Sequence, residues 1–287
     1  MKWSRQTKHF LAFLPALFLI SVIVLYALFL SFCESVACST GWTWEHYAAL
    51  FEEERFRDSL TYSLFIAGVS TLCSLVIGLA VTKLIYHRVL SRRSRSLLWL
   101  PMLFPHFVWG YMMILLFSQT GWISSILYQL GVIETSSSFP LIIQDEQGIG
   151  IILTYIVKEV PFVVLLLLPV YLNMPSQLPQ VVRTLGGREW NVFKTVEWPW
   201  VYPVLVEAGI IVFAFVIAAF ELPYLLGTTY PQMVSVVAYE WFFQGDWSRR
   251  PLSFAFMICI TVLILLITAA ASSMLNKKRY QMMRGNN

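Results

Sequence analysis

Two groups of residues in this chain could do chemistry. The first lies in the middle of an apolar run. Lys158 and Glu159 stand about ten residues into the stretch 149–172. On a helix that is ~15 Å from the nearer end, close to the midplane of a bilayer. A charge at that depth costs about 2.5–3.5 kcal/mol on insertion scales, so each must face a partner or a wet cavity. Sequence neighbours point about 100° apart on a helix and need not pair with each other. The residues suit a translocation path, a subunit interface or a structural ion pair. Pro161 frees the carbonyl of Val157 one turn earlier as an acceptor. His106 is the one histidine inside an apolar run, as a buried hydrogen-bonded ring, a ligand or a proton relay. Glu221, in Glu221-Leu222-Pro223, closes another apolar run and reads as an interfacial carboxylate or a path residue.

The second group is the polar stretch from Pro175 to Pro203. Ser176 suits a helix N-cap, with Pro179 in the first turn. Leu178, Val181, Val182 and Leu185 follow the spacing of one apolar helix face. Gly186-Gly187 stops that helix by turning through positive φ. A second short helix carries Arg188, Glu189, Trp190, Phe193 and Lys194, and Pro199 is expected to end it. Taken by itself, this hairpin could rest on lipid headgroups. The spacing of Gly186, Trp190, Phe193, Pro199 and Pro203 resembles the glycine-centred "EAA" loop of binding-protein-dependent ABC import permeases, the membrane subunits of type I ABC importers. Gln180, Val181 and Val182 occupy the Glu-Ala-Ala positions, and Trp198 the leucine before the proline. The resemblance implies that Gly186, Gly187, Arg188, Glu189, Trp190, Phe193 and Pro199 couple the chain to an ATPase.

Composition sets the class. Of 287 residues, 58% are hydrophobic and 13% charged, against about 25% charged in soluble domains. Six runs approach the ~20 residues that span a bilayer, at 10–32, 61–84, 98–118, 149–172, 203–223 and 252–274. The first is too long for a removable signal peptide and lacks a cleavage site. Basic residues divide unevenly among the connecting segments. Lys2, Arg5 and Lys8, then Lys83, Arg88, Arg92, Arg93 and Arg95, then Arg183, Arg188 and Lys194, and finally Lys277, Lys278, Arg279 and Arg284 fall on one side. Arg55, Arg57, Arg249 and Arg250 fall on the other. The positive-inside rule places both termini and the glycine loop in the cytosol. The net charge of +4 reflects this topology and leaves no nucleic-acid footprint.

Cys73 and Cys259 lie within apolar runs as small packing residues. Cys33 and Cys38 leave a disulfide chemically possible. Ser70, Ser74 and Gly78 form a small-residue stripe suited to close helix packing. The uncharged run after Ser96 is too long for one span, and Gly121 divides it from a short amphipathic helix near 122–131. Glu34, Glu45, Glu52, Glu53, Glu54 and Asp58 make the first outer loop, about 33–60, acidic. It reads as a solvated loop. Within it, Trp44-Glu45-His46-Tyr47 to Phe51 and Arg57-Asp58-Ser59-Leu60 also look like the opening of the core in permeases for polyamines, ferric iron and thiamine.

No phosphate-cradling G-x-x-x-x-G-K-[ST], H-E-x-x-H or nucleophile elbow occurs. No enzyme, metal or cofactor role is therefore expected. The resemblance implies an all-α integral membrane protein of six transmembrane helices. Residues 1–9 and 276–287 would be cytosolic tails around a permease domain at 10–275. Its partners would be a cytosolic ABC ATPase dimer, a second permease subunit (the same or a homologous chain), an extracytoplasmic solute-binding protein and membrane lipid. The setting would be a bacterial or archaeal cytoplasmic membrane, and the solute of the polyamine, iron, thiamine or phosphonate kind. An ion-coupled secondary transporter using Lys158 and Glu159, or a membrane scaffold, are the competing readings. The absence of an internal repeat speaks against the former.

Overall fold

An apolar chain in lipid must satisfy its own backbone hydrogen bonds, which favours long helices. The computed structural model describes residues 5–38, 41–88, 97–243 and 247–273. Among these, six helical segments are long and apolar enough to cross a membrane. The helices are α1 (Arg5–Ser35), α2 (Glu45–Glu52), α3 (Glu54–Arg88), α4 (His106–Phe117), α5 (Trp122–Gln129), α6 (Ile149–Asn173), α7 (Gln177–Thr184), α8 (Glu189–Val192), α9 (Trp198–Ala218), α10 (Glu221–Leu226), α11 (Val234–Phe243) and α12 (Arg250–Ser273). A two-residue strand pair, Ala37–Cys38 with Gly41–Trp42, follows α1.

Residue contacts divide the chain into two units. One comprises 1–56 and 238–263, the other 57–237 and 264–287. In the first, aromatic edges carry the packing. Phe56 meets Phe256 edge-on at 4.8 Å, Trp241 lies 5.4 Å from Phe256, and Trp44 sits between Phe32 and Tyr47. Arg55 pairs with Glu240 at 2.5 Å. The second unit is built on α6 and α9. Ile151, Tyr155, Val163, Val164 and Leu167 of α6 are buried, as are Val201, Ala208, Val212, Val216 and Ile217 of α9. Asp145 starts α6 by accepting the backbone N–H groups of Ile149 at 2.9 Å and Gly150 at 3.4 Å. A carboxylate there satisfies orphan donors and complements the helix dipole.

Several sequence expectations need correction. The acidic segment before the second span is mostly helical: α2 fills 45–52, and α3 begins at Glu54, its carboxylate in the first turn. The third span is broken. A 3₁₀ stretch, Leu97–Leu103, precedes α4, which starts only after Pro105. Pro101 and Pro105 each lack an N–H, so neither can continue an α-helical ladder. The fifth span starts earlier than 203 and stops at Ala218, leaving Glu221 in the separate α10. The apolar segment at Val234–Phe243 forms α11, with Val234, Val236, Val237 and Trp241 buried. Gly121 does divide α4 from α5, as expected.

Cys33 carries a free thiol. The Cys38 side chain, Gly245-Asp246, Lys2, Arg92, Arg93, Arg95 and the basic tail from Lys277 to Arg284 lie outside the described residues. So do the side chains of Arg5, Lys8 and Arg88.

The small-residue stripe of α3 does pack. Ser70 and Ser74 are fully buried. A Cβ placed on Gly78 would stand 2.6 Å from Val163 Cγ1 and 2.7 Å from its Cβ, on α6. Close contact of this kind stabilises helix pairs in lipid through van der Waals packing. A Cβ at Gly68 would meet nothing within 4 Å. Gly78→Ala should therefore destabilise by about 1–3 kcal/mol through overpacking, whereas Gly68→Ala should be close to neutral. Thermal midpoints of the detergent-solubilised proteins, followed by monodispersity, check this. Equal midpoints would show that the α3–α6 approach relaxes without cost.

Candidate functional site

The glycine loop forms a helical hairpin. Leu185 is the C-cap of α7, and Gly186 follows at φ +81°. The Gly186 N–H donates to Arg183 O at 3.0 Å and the Gly187 N–H to Val182 O at 2.9 Å. This is the Schellman pattern, in which the left-handed residue after the cap satisfies the last carbonyls of the helix. Of the two glycines, only Gly186 has a positive φ. Ser176 does not cap α7: it is itself helical and makes no side-chain cap bond. Arg183 ties the two arms together, donating to Glu189 at 2.8 and 3.2 Å. The carboxylate holds the guanidinium further toward its protonated form. The pair is open to solvent, so its worth is geometric more than energetic.

The second arm is not a short helix ended by Pro199. α8 runs into a π-helical turn, Phe193–Glu197, which runs into α9, so Glu189–Ala218 is helical throughout. Pro199 sits in the first turn of α9. There the ladder has already shifted from the α pattern, and the missing N–H breaks nothing. Along this rod Trp190 stacks on Phe193 at 5.6 Å, Phe193 lies 5.9 Å from Trp198, and Trp198 lies 5.6 Å from Tyr202. Trp190 is 69% exposed, and Leu178, Val181 and Leu185 on α7 are exposed too. The expected apolar face of α7 is thus formed but uncovered within this chain.

One residue that sequence reasoning passed over anchors the hairpin. Glu197, at the end of the π turn, is 4% exposed. Its Oε2 lies 3.0 Å from Lys83 Nζ of α3 and accepts a hydrogen bond from Tyr171 OH of α6 at 3.3 Å. Lys83 Nζ also stands 5.1 Å over the Phe193 ring, and Tyr86 lies 5.3 Å from Tyr171. Losing one partner of a fully buried pair costs about 3–5 kcal/mol. The figure is lower here, because the Lys83 side chain is 31% exposed. The signal in the sequence was a carboxylate between the apolar Val196 and Trp198.

The charges of α6 do not pair with each other. Lys158, 6% exposed, donates to the carbonyls of Pro101 at 3.2 Å and Phe104 at 2.5 Å. These acceptors belong to the break before α4, where Pro105 has no N–H for the Pro101 carbonyl one turn back; that carbonyl also accepts from Trp109 Nε1 at 3.0 Å. Glu159, 7% exposed, lies 3.6 Å from His106 Nε2. That is too long for a hydrogen bond and close enough for an ion pair when the ring is protonated. The His106 ring lies 4.8 Å from Phe215 of α9. Together His106, Lys158, Glu159 and Phe215 line a cavity of about 200 Å³. Glu221 is not part of it. It borders a second cavity of about 430 Å³ with the rings of Phe107, Tyr111, Phe220 and Tyr224. Pro161 lies inside the uninterrupted α6. Among the described residues no cluster suited to a metal ion occurs.

These features can be set beside known proteins. The chain is 24% identical over 185 residues to the thiamine transport system permease protein ThiP of Escherichia coli (strain K12), a match covering 64% of this chain and 33% of that protein. It is 27% identical over 203 residues to the inner membrane ABC transporter permease protein YnjC of the same organism, covering 70% and 38%. It thus spans about a third of the length of these relatives. The probable sulfate transport system permease protein cysT of Chlorella vulgaris is 25% identical over 174 residues, covering 60% and 62%. Among solved structures, a chain of a bacterial ABC transporter involved in the import of the acidic polysaccharide alginate superposes with a TM-score of 0.76. It shares 19% identity over 94% of this chain and 96% of that one, a likeness of fold. The sequence model of one family matches residues 74–279, which include the hairpin, both cavities and the Glu197 anchor, and the chain therefore belongs to the binding-protein-dependent transport system inner membrane components.

Proposed function

We propose that this chain is a permease subunit of an ATP-driven importer in a bacterial cytoplasmic membrane, with the ATP hydrolysed on a separate cytosolic ABC ATPase dimer. A second permease subunit, the same or a homologous chain, completes the membrane pathway, and an extracytoplasmic binding protein delivers a small solute. One observation carries the reading: the hairpin at Gly186, whose second arm is continuous with a membrane-spanning helix and presents an exposed Trp190 at its tip. A surface with an exposed tryptophan and a fixed backbone suits a docking element, since buried aromatics are typical binding hot spots. Gly186, Gly187, Arg188, Glu189, Trp190, Phe193 and Pro199 are assigned to this coupling element. Its rim of Arg183, Arg188 and Lys194, with the positive-inside rule, supports a cytosolic position for the hairpin and both termini.

His106, Lys158 and Glu159 are assigned to the solute path or to the boundary with the second subunit, with Pro161 on the same helix and Glu221 beside the neighbouring cavity. A cavity at membrane depth lined by ionisable groups is a functional site before it is a packing defect. Thiamine is the trial solute of first choice, with sulfate beside it, in view of the relatives ThiP and cysT. The tails 1–9 and 276–287 flank the permease domain 10–275 in this reading.

Three outcomes test it. Single cysteines replacing Glu53 and Arg188 in a cysteine-free background should react with an impermeant thiol reagent from opposite sides of the membrane. Reaction of both from outside removes the topology.

Gly186→Val, which forces a β-branched residue into positive φ, and Trp190→Ala should give normally inserted protein that no longer retains the ATPase in detergent. A loss of about 2 kcal/mol at Trp190 weakens docking roughly thirty-fold. Stoichiometric ATPase on purified Trp190→Ala complexes would refute the assignment of that residue.

Lys158→Met should insert normally and lose uptake of the transported solute in proteoliposomes, whereas Lys158→Arg should keep part of it. Wild-type uptake by Lys158→Met would move the path away from α6.

A further inference from the structure

The hairpin and the cavity lie at different levels of the second unit, and the residues between them form a connected route. Glu189–Ala218 is one helical rod, so a displacement at Trp190 reaches α9 without passing a hinge. The rod meets α3 and α6 through Glu197, which bonds Lys83 at 3.0 Å and Tyr171 at 3.3 Å while only 4% exposed. Tyr171 and Phe162 share α6, nine residues apart, or ~14 Å at 1.5 Å per residue. Phe162 lines the cavity beside Lys158. A carboxylate buried at the junction of three helices is costly unless every helix keeps its partner in place. If Glu197 moves with the rod, Lys83 and Tyr171 must follow or leave a buried group unpaired.

We infer that Lys83, Tyr171 and Glu197 form a clamp that delivers the movement of the hairpin to α3 and α6, and so to the cavity at His106, Lys158 and Glu159. The clamp residues are positioning residues, acting on the cavity through α3 and α6. The π turn puts the carboxylate at the meeting point of all three helices. Phe193, under the Lys83 ammonium at 5.1 Å, links the clamp to the Trp190 stack. The inference rests on the reading of the hairpin as the coupling element.

The test uses the complete transporter in nanodiscs, with its ATPase subunits bound. In a cysteine-free background, Phe162→Cys reports on the cavity through its rate of reaction with a small cationic methanethiosulfonate, measured without nucleotide and after trapping with ATP and vanadate. The otherwise wild-type complex should retain its ATPase and change its labelling rate on trapping. Lys83→Met/Glu197→Gln removes both charges without stranding either. It should retain the ATPase and lose the nucleotide-dependent change, whereas Lys83→Arg should keep it. A clamp that merely stabilised the fold would alter expression and leave the response of the folded fraction intact. A double variant with bound ATPase and an undiminished nucleotide response overturns the clamp and leaves the coupling reading standing. Absence of any nucleotide response in the wild-type complex overturns both. Should the double variant fail to insert, Glu197→Gln alone, which can still accept from Tyr171, decides by the same criterion.

Discussion

A carboxylate carried into an apolar protein must find its partners there or lose its charge. Glu197 keeps company with an ammonium from one helix and a phenol from another. Much of the second unit is arranged around that requirement. The π turn gives the residue its position, the close approach at Gly78 brings α3 against α6, and the aromatic series from Trp190 to Tyr202 follows the same rod. A single ionic contact of this sort adds little net stability once desolvation is counted. What it does fix is a meeting point, because its two partners come from two other helices.

The cavity obeys the same rule with different acceptors. Lys158 is satisfied by two carbonyls of the break before α4, those of Pro101 and Phe104, the former shared with the Trp109 indole N–H. Glu159 and His106 occupy the next position along the wall. The fold thus holds ionisable groups at membrane depth without pairing the two that are adjacent in sequence. Each is held by a different neighbour.

Much of this was legible in the sequence where one residue type has one physical meaning. Long apolar runs had to be helices. Gly186 had to turn, and does so at φ +81°. Lys158 and Glu159 had to be accommodated, and as sequence neighbours they need not pair. The reading failed where a residue has two uses. Proline was taken as a terminator at Pro199, yet it sits in the first turn of α9, because the preceding π turn had already displaced the ladder. Acidic residues at 45–54 were taken for a solvated loop, yet Glu45 and Glu54 lie in first helical turns. Glu197 was invisible for another reason. Its partners are distant in sequence, on α3 and α6, and only the packed structure brings them together.

The π turn also sets the relation between the two ends of the rod. A π-helical turn holds one residue more than the α turn it replaces, so the chain beyond it stands about 100° from where an unbroken α-helix of the same sequence would put it. The azimuth of Trp190 about the axis of α9 is therefore set by the hydrogen-bond pattern at one point, independently of which side chains occupy the tip. Relaxing that turn to a plain α-helix with every residue retained would swing the tip to another side. Deletion of one residue between Phe193 and Glu197 would restore a plain α-helix and leave the bearing nearly unchanged.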